Sequence, residues 1–562
     1  VLRVATGGRN FEQLSGEDPY LGSRLVKSYV RAVQKEGVIA SVRPFGFAHQ
    51  ETNHKGQDVE VAEKVAWELY YPPFEAAVQA GAGGMICSST KVNGTSGCAS
   101  ANLLKRDLKG AMNFQGFVMS EDTMASTSSA FANGLDMNMP GSTESKVHVQ
   151  NLASTPHETR KEAASHLLTS IYRYRHDELP MWQLSLGLAT QASEQRSKMN
   201  TELAKEAAAA GIVLLKNTGV LPIEPQSVKR ILVLGSAASQ APKVSFWSGD
   251  YFSGGGSSHV PASNGVEATA LDQITRRAQK EKIEVKSVSS NTNISIAKEM
   301  AKAADLVIVV GACTSSEGAD RTTLALDDKV DDLIAAVAPV KSTVVLMQTP
   351  GAVLTPWRDS VAAVANLFLA GEATGHAWAS MLFGDITPAG KLPLVMPRAA
   401  ESTIKPKESG LIRYTEGMRT SYRVSNPSLA AYPFGHGLSY TEFTYSQPEI
   451  IGRGCLGRAC IRLEIVNTGR KPGAEVVQAY AQFAAAEGMP NHVLKSFHKT
   501  AVLKPGQSEE VFLVLTARDL STYHNDVGGW VEQHNVKVDI GSSSVDVRQS
   551  AWVNVDVTVD TR

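Results

Sequence analysis

The sequence lacks a large net charge, a long apolar segment and an initiator methionine. Its 55 lysines and arginines nearly balance its 56 aspartates and glutamates, so nothing indicates a nucleic acid or another polyanion as a partner. No run of about 18 apolar residues occurs, and we therefore predict no membrane-spanning helix. The first residues, Val1-Leu2-Arg3-Val4, do not form a signal peptide. We interpret this start as a removed leader or a fragment.

The sequence also lacks internal repeats and low-complexity tracts. It is 43% hydrophobic and 20% charged, which argues against wholesale disorder. A chain of 562 residues exceeds the size at which a single hydrophobic core keeps growing. We therefore expect about two to four domains.

The five cysteines suggest two local disulfides. Cys87 and Cys98, and likewise Cys455 and Cys460, are spaced so that each pair can close a short loop, which leaves Cys313 as a free thiol.

Two triplets match the glycosylation sequon, Asn93-Gly-Thr and Asn293-Ile-Ser. Together with the paired cysteines they lead us to predict a secreted glycoprotein.

The first third of the chain alternates predicted helices with short apolar strands. The helices are expected at 23–36, 59–79 and 102–109, and the strands at 37–42, 84–87 and 116–120. This order is typical of parallel βα units. Arg43, Ser88 and Glu121 follow the predicted strands, where β/α-barrel enzymes place their chemistry.

The rest of the chain changes character twice. Residues 177–200 are polar and irregular and suit a linker. Apolar strands at 212–215, 231–234, 306–310 and 343–347, with helices at 204–211 and 329–338, predict a parallel sheet covered on both faces. From about residue 448, alternating strands at 460–466, 475–480, 509–515 and 536–540 predict a β-sandwich.

Eight sequence blocks resemble those of glycoside hydrolase family 3, of the β-glucosidase type, and occur in that family's order. They are Gly8-Arg-Asn-Phe-Glu12, Gly16-Glu-Asp-Pro19, Lys91-Val-Asn-Gly94, Gly134-Leu-Asp-Met-Asn-Met-Pro-Gly141, Ile212-Val-Leu-Leu-Lys-Asn217 with Leu221-Pro222, Ser315-Ser-Glu-Gly-Ala-Asp-Arg321, Phe383-Gly-Asp-Ile-Thr-Pro-Ala-Gly-Lys-Leu-Pro393 and Tyr432-Pro-Phe-Gly-His-Gly-Leu-Ser-Tyr440. The tail, with Asn467-Thr-Gly469, Leu503-Lys-Pro-Gly506 and Gly541-Ser-Ser-Ser544, resembles the family's fibronectin-like domain.

The resemblance implies three domains of mixed α/β class. Residues 1–180 would form a partial or distorted TIM-like β/α barrel, 200–445 an α/β sandwich domain, and 446–562 a fibronectin type III-like β-sandwich. Family members carry further βα units before the Gly8 block, including a carboxylate that grips sugar hydroxyls. We therefore expect a truncated or processed chain, a distorted barrel, or a barrel completed by a companion chain or a homo-oligomer.

The family's chemistry needs two carboxyl groups about 5–5.5 Å apart, a nucleophile and an acid/base. The family nucleophile is the Asp of a Ser-Asp-Trp turn, which here reads Ser120-Glu121-Asp122. Glu121 takes the aligned position with a side chain one methylene longer, and a misplacement of about 1 Å can cost on the order of 10²-fold in rate. Asp122 would serve if the turn slipped. Otherwise the two residues are a solvated acidic pair.

The acid/base candidate is Glu317, in the loop 314–319. A general acid in this loop needs a partly apolar site that keeps it protonated. The alternative interpretation is an ordinary loop glutamate beside Arg321.

The resemblance implies substrate contacts from four basic residues, Arg9, Arg43, Lys91 and Arg321. Other sugar contacts of the family are missing. Its Lys-His pair becomes Arg43-Pro44, its following Asn becomes Ala48, and an aromatic wall becomes Ser89. Sites built to bond hydroxyls discriminate by about 10⁴ when a partner is lost, so ordinary glucose hydrolysis is disfavoured.

No metal or cofactor is predicted. A polar cluster after the altered turn matches no specific metal-ligand spacing; it comprises His49, Glu51, His54 and Asp58. The glycines 254–256 lack the Lys-Ser/Thr that follows a phosphate-binding loop. Cys313 lies near Glu317 in sequence without an evident histidine partner, and we expect it to be inert.

Three functions are compatible with these residues. The first is a retaining β-glycosidase acting on a glycoside or another small molecule. The second is a repurposed scaffold that catalyses an elimination or cyclisation on a less polar metabolite. The third is a non-catalytic protein that binds a glycan or assembles with a partner subunit.

Overall fold

The computed structural model describes residues 1–121, 129–139, 153–175, 196–243, 247, 249–261, 269–451 and 454–554. They belong to two compact units. The first unit comprises Val1–Leu2, Leu14–Gln195 and Pro406–Met418, and the second comprises Arg3–Gln13, Arg196–Lys405 and Arg419–Arg562. The short segment Arg3–Gln13 therefore belongs with the later part of the chain.

The first unit contains seven of the described strands, numbered along the chain. They are β1 (Ser41–Phe45), β2 (Asp58–Glu60), β3 (Gly84–Cys87), β4 (Lys91–Val92), β5 (Thr95–Ser96), β6 (Phe117–Met119) and β14 (Leu411–Arg413). Its helical segments are Pro19–Lys35, Glu63–Val65, Ala66–Tyr70, Pro72–Gln79, Asn102–Ala111, Ser129–Ala132 and His157–Arg173, of which Ala66–Tyr70 and Asn102–Ala111 are π-helical.

The helix Pro19–Lys35 confirms the prediction at 23–36 and begins earlier, because Asp18 caps it. The Asp18 carboxylate accepts a hydrogen bond from Leu21 N at 2.8 Å, and Pro19 fits the first helical turn. Val26 and Val30 face the core of this unit.

β1, β3 and β6 form a parallel sheet in that order, and a parallel bridge joins Met119 to Met137. The predicted strands at 84–87 and 116–120 are confirmed. Within the described residues the predicted barrel is therefore partial. The prediction at 37–42 is wrong in position, because β1 runs over Ser41–Phe45 and Arg43 lies inside it.

The prediction of one helix over 59–79 is wrong. Asp58–Glu60 form β2, which pairs in parallel with β4 and β14. A new helix begins at Pro72 because proline lacks the N–H that a continuous helix requires. β4 and β5 form a hairpin whose turn, Asn93-Gly94, has positive φ at both residues, as a type I′ turn requires.

The second unit is built on a six-stranded sheet of order β7-β12-β11-β10-β8-β9. The strands are β7 (Val213–Asn217), β8 (Arg230–Leu234), β9 (Glu284–Val288), β10 (Leu306–Ala312), β11 (Thr343–Thr349) and β12 (Ala363–Phe368). All pairings are parallel except that of β7 with β12. The predicted sheet is confirmed, but its first strand is an antiparallel edge.

Helices cover this sheet, namely Lys198–Ala210, Ser236–Ser239, Ala270–Lys280, Ile294–Ala303, Val330–Val337 and Thr374–Leu382. Thr374–Leu382 carries the fully buried Trp378 and packs against Ala270–Lys280 and Lys198–Ala210. The predicted linker 177–200 lies mostly outside the described residues. Its predicted C-terminal boundary is wrong, because residues 198–200 already belong to a helix. Ser197 caps a helix that begins at Lys198, where its hydroxyl accepts from Asn200 N at 3.1 Å.

The C-terminal strands form the predicted β-sandwich. They are β16 (Phe443–Tyr445), β17 (Glu449–Ile451), β18 (Ala459–Asn467), β19 (Val476–Gln482), β20 (Val493–Lys499), β21 (Ser508–Leu515), β24 (Asn535–Gly541) and β25 (Val547–Asn554). β18 pairs with β16, β17 and β21, and a second sheet runs β20-β19-β24-β25. Their inward apolar residues share one core. Two small pairs, β13 (Met396–Pro397) with β15 (Ala430–Tyr432) and β22 (Ser521–His524) with β23 (Gly529–Glu532), complete the strands.

Both predicted disulfides are present. Cys87 pairs with Cys98 and Cys455 with Cys460, with Cα–Cα distances of 5.1 and 5.7 Å, and Cys313 is a buried free thiol. Among the described helices, none is both long and apolar enough to cross a membrane.

Replacing Trp378 by alanine tests whether the α/β core depends on this side chain. Trp378 is fully buried, and such truncations cost about 3–5 kcal/mol. We expect Trp378→Ala to lower the melting midpoint by roughly 10 °C. Trp552→Ala is the matched control, because Trp552 is 60% exposed and surface changes stay within about 0.5 kcal/mol. Equal midpoints for the two variants would contradict the assignment.

Candidate active site

Glu317 lies in the loop that follows β10, and three anchors fix that loop within the second unit. The Thr314 backbone N–H and hydroxyl both donate to Asp327, at 2.9 and 3.1 Å. The Ser315 hydroxyl donates to the Gly8 carbonyl at 2.6 Å, and Glu317 N donates to the Gly255 carbonyl at 3.0 Å. Two of these anchors hold the residues just before Glu317 and the third holds Glu317 itself, so its backbone has a defined position.

The glycine loop 254–256 supports the Glu317 side chain. Gly256 has φ +101°, and a Cβ there would lie 2.3 Å from Glu317 Cβ, so only glycine fits. The next residue, Ser257, donates its N–H to Glu317 Oε2 at 2.7 Å. The sequence analysis considered this loop only as a poor phosphate cradle. Its supporting role depends on backbone contacts that no motif records.

Arg9 contacts Glu317 directly. The guanidinium Nη2 forms an ion pair with Glu317 Oε1, so two predicted site residues meet although they are far apart in sequence. The two side chains are 23% and 24% exposed, which leaves them within reach of a solute. Arg9 Nη1 also lies 4.0 Å from Glu12 Oε2, and the Ser258 hydroxyl donates to Glu12 Oε1 at 2.6 Å.

Arg321 makes its contacts with protein groups. Its Nη2 donates to the carbonyls of Ala5 and Ala352 at 3.0 and 2.7 Å, and its Nη1 lies 3.5 Å from Cys313 Sγ. These bonds hold the segment that carries Arg9, and a substrate contact by Arg321 stays a prediction. Burial raises the pKa of the Cys313 thiol to about 12, which favours the unreactive thiol.

In the first unit, Glu121 and Arg43 form an ion pair. Arg43 Nη1 lies 2.6 Å from Glu121 Oε1, and the Glu121 side chain is 55% exposed. The Ser120 hydroxyl donates to the Asn138 amide oxygen at 2.6 Å and thereby holds the start of the turn. Lys91 is exposed at the beginning of β4. Asp122 lies outside the described residues, so its predicted role stays a prediction.

The polar cluster after the altered turn does not gather into a metal site. The described residues contain no group of three or more His, Cys, Asp or Glu that could hold a metal ion. His49 Nδ1 instead lies 2.7 Å from the Tyr414 hydroxyl, His54 Nδ1 lies 3.1 Å from the Glu51 carbonyl, and Asp58 accepts from Gly94 N at 2.9 Å.

Aromatic side chains pack beside the positions where sugar contacts are missing. Phe45 and Phe47 lie between Pro44 and Ala48 in the chain and are buried. Both rings stack on Tyr71, with centroid distances of 5.5 Å for Phe45 and 5.7 Å for Phe47. Tyr414 reaches Phe47 from a distant part of the sequence and donates its hydroxyl to the Phe47 carbonyl at 3.1 Å. The sequence analysis missed Tyr414 because it lies in no recognised block.

Comparisons with known proteins agree with this architecture. The Glycosyl hydrolase family 3 N terminal domain model matches residues 3–168, the C-terminal domain model matches 212–440, and a Fibronectin type III-like domain model matches 475–544. Thermostable beta-glucosidase B of Acetivibrio thermocellus is 30% identical over 100% of this chain and 75% of its own length. Beta-glucosidase BoGH3A of Bacteroides ovatus is 30% identical over 98% and 78%.

Solved structures give the same result. The crystal structure of Beta-D-glucoside glucohydrolase from Trichoderma reesei superposes with a TM-score of 0.89 at 26% identity, over 99% of this chain and 84% of that one. Beta-glucosidase 3B from Thermotoga neapolitana in complex with glucose gives 0.83 at 28% identity, over 99% and 83%. The chain belongs to glycoside hydrolase family 3 and is a glycosidase-like enzyme, with the family's α/β fold and a C-terminal fibronectin type III-like domain.

Adding a side chain at Gly256 tests the support of Glu317. In Gly256→Ala the new methyl group would push Glu317 away, and a displacement of about 1 Å can lower the rate on the order of 10²-fold. We expect kcat/KM for an aryl glycoside to fall by about that factor. Gly528→Ala is the matched control, because Gly528 also has positive φ (+63°) but no atom lies within 4 Å of its Cβ position. An unchanged kcat/KM for Gly256→Ala would show that the contact is irrelevant to activity.

Proposed function

We propose that this protein is a retaining β-glycosidase of β-glucosidase-like specificity, with Glu317 as acid/base and Glu121 as nucleophile. The observation that carries the proposal is the placement of Glu317. Its loop is anchored at Thr314 and Ser315, its carboxylate accepts from Ser257 N, and its side chain is still one-quarter exposed. A fixed but accessible carboxyl group is what general acid–base catalysis requires. The relatives named β-glucosidases support the substrate class.

In this mechanism the two carboxyl groups act in turn. Glu317 donates a proton to the leaving-group oxygen while a Glu121 oxygen attacks the anomeric carbon, and the electron pair of the breaking C–O bond passes to the departing oxygen. Glu317 then removes a proton from the water that hydrolyses the glycosyl–enzyme ester. Arg43, 2.6 Å from Glu121, stabilises the ionised carboxylate that a nucleophile needs.

A specific observation favours a second candidate, a repurposed scaffold that performs an elimination or cyclisation on a less polar metabolite. Pro44 and Ala48 offer no side-chain hydrogen bond to a sugar, and buried aromatic rings lie next to them in the chain. Turnover of apolar metabolites without turnover of aryl glycosides would favour this candidate, and strong glucosidase activity would exclude it.

The role of Glu317 is tested with leaving groups of different acidity. We expect Glu317→Gln to lower kcat/KM for phenyl β-glucoside by about 10²–10⁴-fold, which is the usual contribution of acid–base catalysis. The loss should be much smaller for 2,4-dinitrophenyl β-glucoside, because a good leaving group departs without a proton.

Glu299→Gln is the control for this experiment. Glu299 pairs with Lys302 on an exposed helix face, so its replacement should leave both rates unchanged. If Glu317→Gln turned over both glucosides at the wild-type rate, the glycosidase proposal would be lost.

We also propose that the protein is a secreted glycoprotein whose barrel is completed by a companion chain or by a second copy of this chain. Asn93 and Asn293 are exposed, and two disulfides are typical of an oxidising compartment. Among the described strands β1 pairs only with β3. Leu25 and Tyr29, one turn apart on the helix Pro19–Lys35, are 43% and 60% exposed.

Intact-mass measurement of the native material tests this proposal. We expect a mass above the 60.1 kDa of the bare chain that decreases on enzymatic removal of N-glycans, and an assembly of two or more chains in sedimentation analysis. Asn93→Gln and Asn293→Gln should each remove one glycan. A monomer of the bare mass would contradict both parts.

A further inference from the structure

The contacts of Glu317 conflict with the role of a general acid. Both carboxylate oxygens face donors, Oε1 the Arg9 guanidinium and Oε2 the Ser257 N–H. A carboxylate with two such donors is stabilised in its charged, acceptor-only form. A general acid must instead carry a proton when the glycosidic bond breaks. The described arrangement is therefore one in which Glu317 is held without its proton.

Arg9 has a second carboxylate within reach. Its Nη1 lies 4.0 Å from Glu12 Oε2, slightly beyond hydrogen-bond distance. Glu12 is held by the Ser258 hydroxyl, 2.6 Å from Oε1, and its side chain is only 17% exposed. Two nitrogens of one guanidinium thus face two carboxylates, so Arg9 can exchange one carboxylate partner for the other without leaving the site.

We propose that Glu12 is a positioning residue that draws Arg9 away from Glu317 when a glycoside hydroxyl binds, and that Glu317 gains its catalytic proton in that arrangement. This inference rests on the proposed glycosidase function. Glu317 takes up one proton from a hydronium ion of the solvent, which leaves water, and later passes it to the departing oxygen, which receives the electron pair of the C–O bond. Arg9 keeps all its protons and only changes partner. Binding thus prepares the acid before the chemical step.

Three features of the second unit support the exchange. Arg9 and Glu317 are both partly exposed, so a ligand can reach the pair. Glu12 and Ser258 lie on the two segments that also carry Arg9 and Ser257, so both carboxylates are held in one frame. Finally, the Ser257 N–H donates to Glu317 Oε2 at 2.7 Å, so Glu317 keeps a partner of its own when Arg9 turns to Glu12.

The test measures the protonation of Glu317 directly. In protein labelled with ¹³C-carboxyl glutamate, the Glu317 resonance is identified by its loss in Glu317→Gln. Its titration midpoint is then followed by NMR with and without glucose as the probe. In wild type we expect glucose to raise the midpoint by about one pH unit, because the adjacent positive charge moves away.

Two variants separate the exchange from simple charge effects. Glu12→Gln removes the negative charge of the second carboxylate near Arg9. Ser258→Ala keeps every charge and removes only the hydroxyl that donates to Glu12. We expect the glucose-induced rise to be lost in both, and the alkaline limb of kcat, which reports the substrate complex, to move to lower pH by about one unit. In Arg9→Met the alkaline limb of kcat/KM, which reports the free enzyme, should move to higher pH. Glu299→Gln should behave as wild type.

The outcomes are distinct. If wild type turns over no aryl glucoside, the proposed function fails, and the titration still decides the present inference. If glucose leaves the wild-type midpoint unchanged, or if Ser258→Ala keeps the full rise, Glu12 does not control Arg9 and the inference is overturned. The wild-type comparison needs no substitution, so it decides the question even where a variant does not fold.

Discussion

The burial of β10 is the constraint on which the candidate chemistry depends. All seven residues of this strand, Leu306–Ala312, are buried, and it lies between β8 and β11 in parallel register. A strand with neighbours on both sides cannot shift without breaking two hydrogen-bond ladders. The loop that leaves its carboxyl end therefore starts from a fixed point. Hydrogen bonds from Thr314 to Asp327 and from Ser315 to Gly8 then hold the residues just before Glu317 in place.

The two candidate carboxylates are held in different ways. Glu317 is held by the Ser257 N–H, by Arg9 and by a glycine that admits no side chain. Glu121 is held by a single arginine and is mostly exposed. Surface ion pairs contribute about 0–1 kcal/mol, whereas the loop that carries Glu317 is also held by the buried hydrogen bond from Ser315 to the Gly8 carbonyl, and buried hydrogen bonds are costly to break. The position of Glu317 is therefore fixed more firmly by its surroundings than that of Glu121.

The sequence was sufficient for the fold because its signals are local. Fully apolar runs predicted β10 and β11, alternation predicted β18 and β21, and cysteine spacing predicted both disulfides. Motif order predicted the family. The error at 59–79 lies where prolines and aromatic residues interrupt the helical period. At 37–42 the apolar run precedes the strand, which begins only at Ser41, and the antiparallel direction of β7 has no local signal.

The sequence was less informative about the candidate site because its contacts are long-range. The Arg9–Glu317 pair joins residues that no spacing rule relates. Glu12 was quoted within a recognised block, yet only its distance from Arg9 indicates a role. Ser257 acts through its backbone N–H, a group that every residue except proline carries, so its identity gives no signal.

The Cys87–Cys98 bridge encloses the whole β4–β5 hairpin, and Lys91 is the first residue of β4. β4 is held from outside that loop by its parallel pairing with β2. Reduction of the bridge would remove a constraint that acts mainly on the unfolded chain, and would thereby lower the stability of the folded protein around this hairpin. The stability of the hairpin that carries a candidate substrate-contacting lysine thus depends on the oxidation state of one pair of sulfur atoms, so assays performed with and without added thiol are not equivalent for this protein.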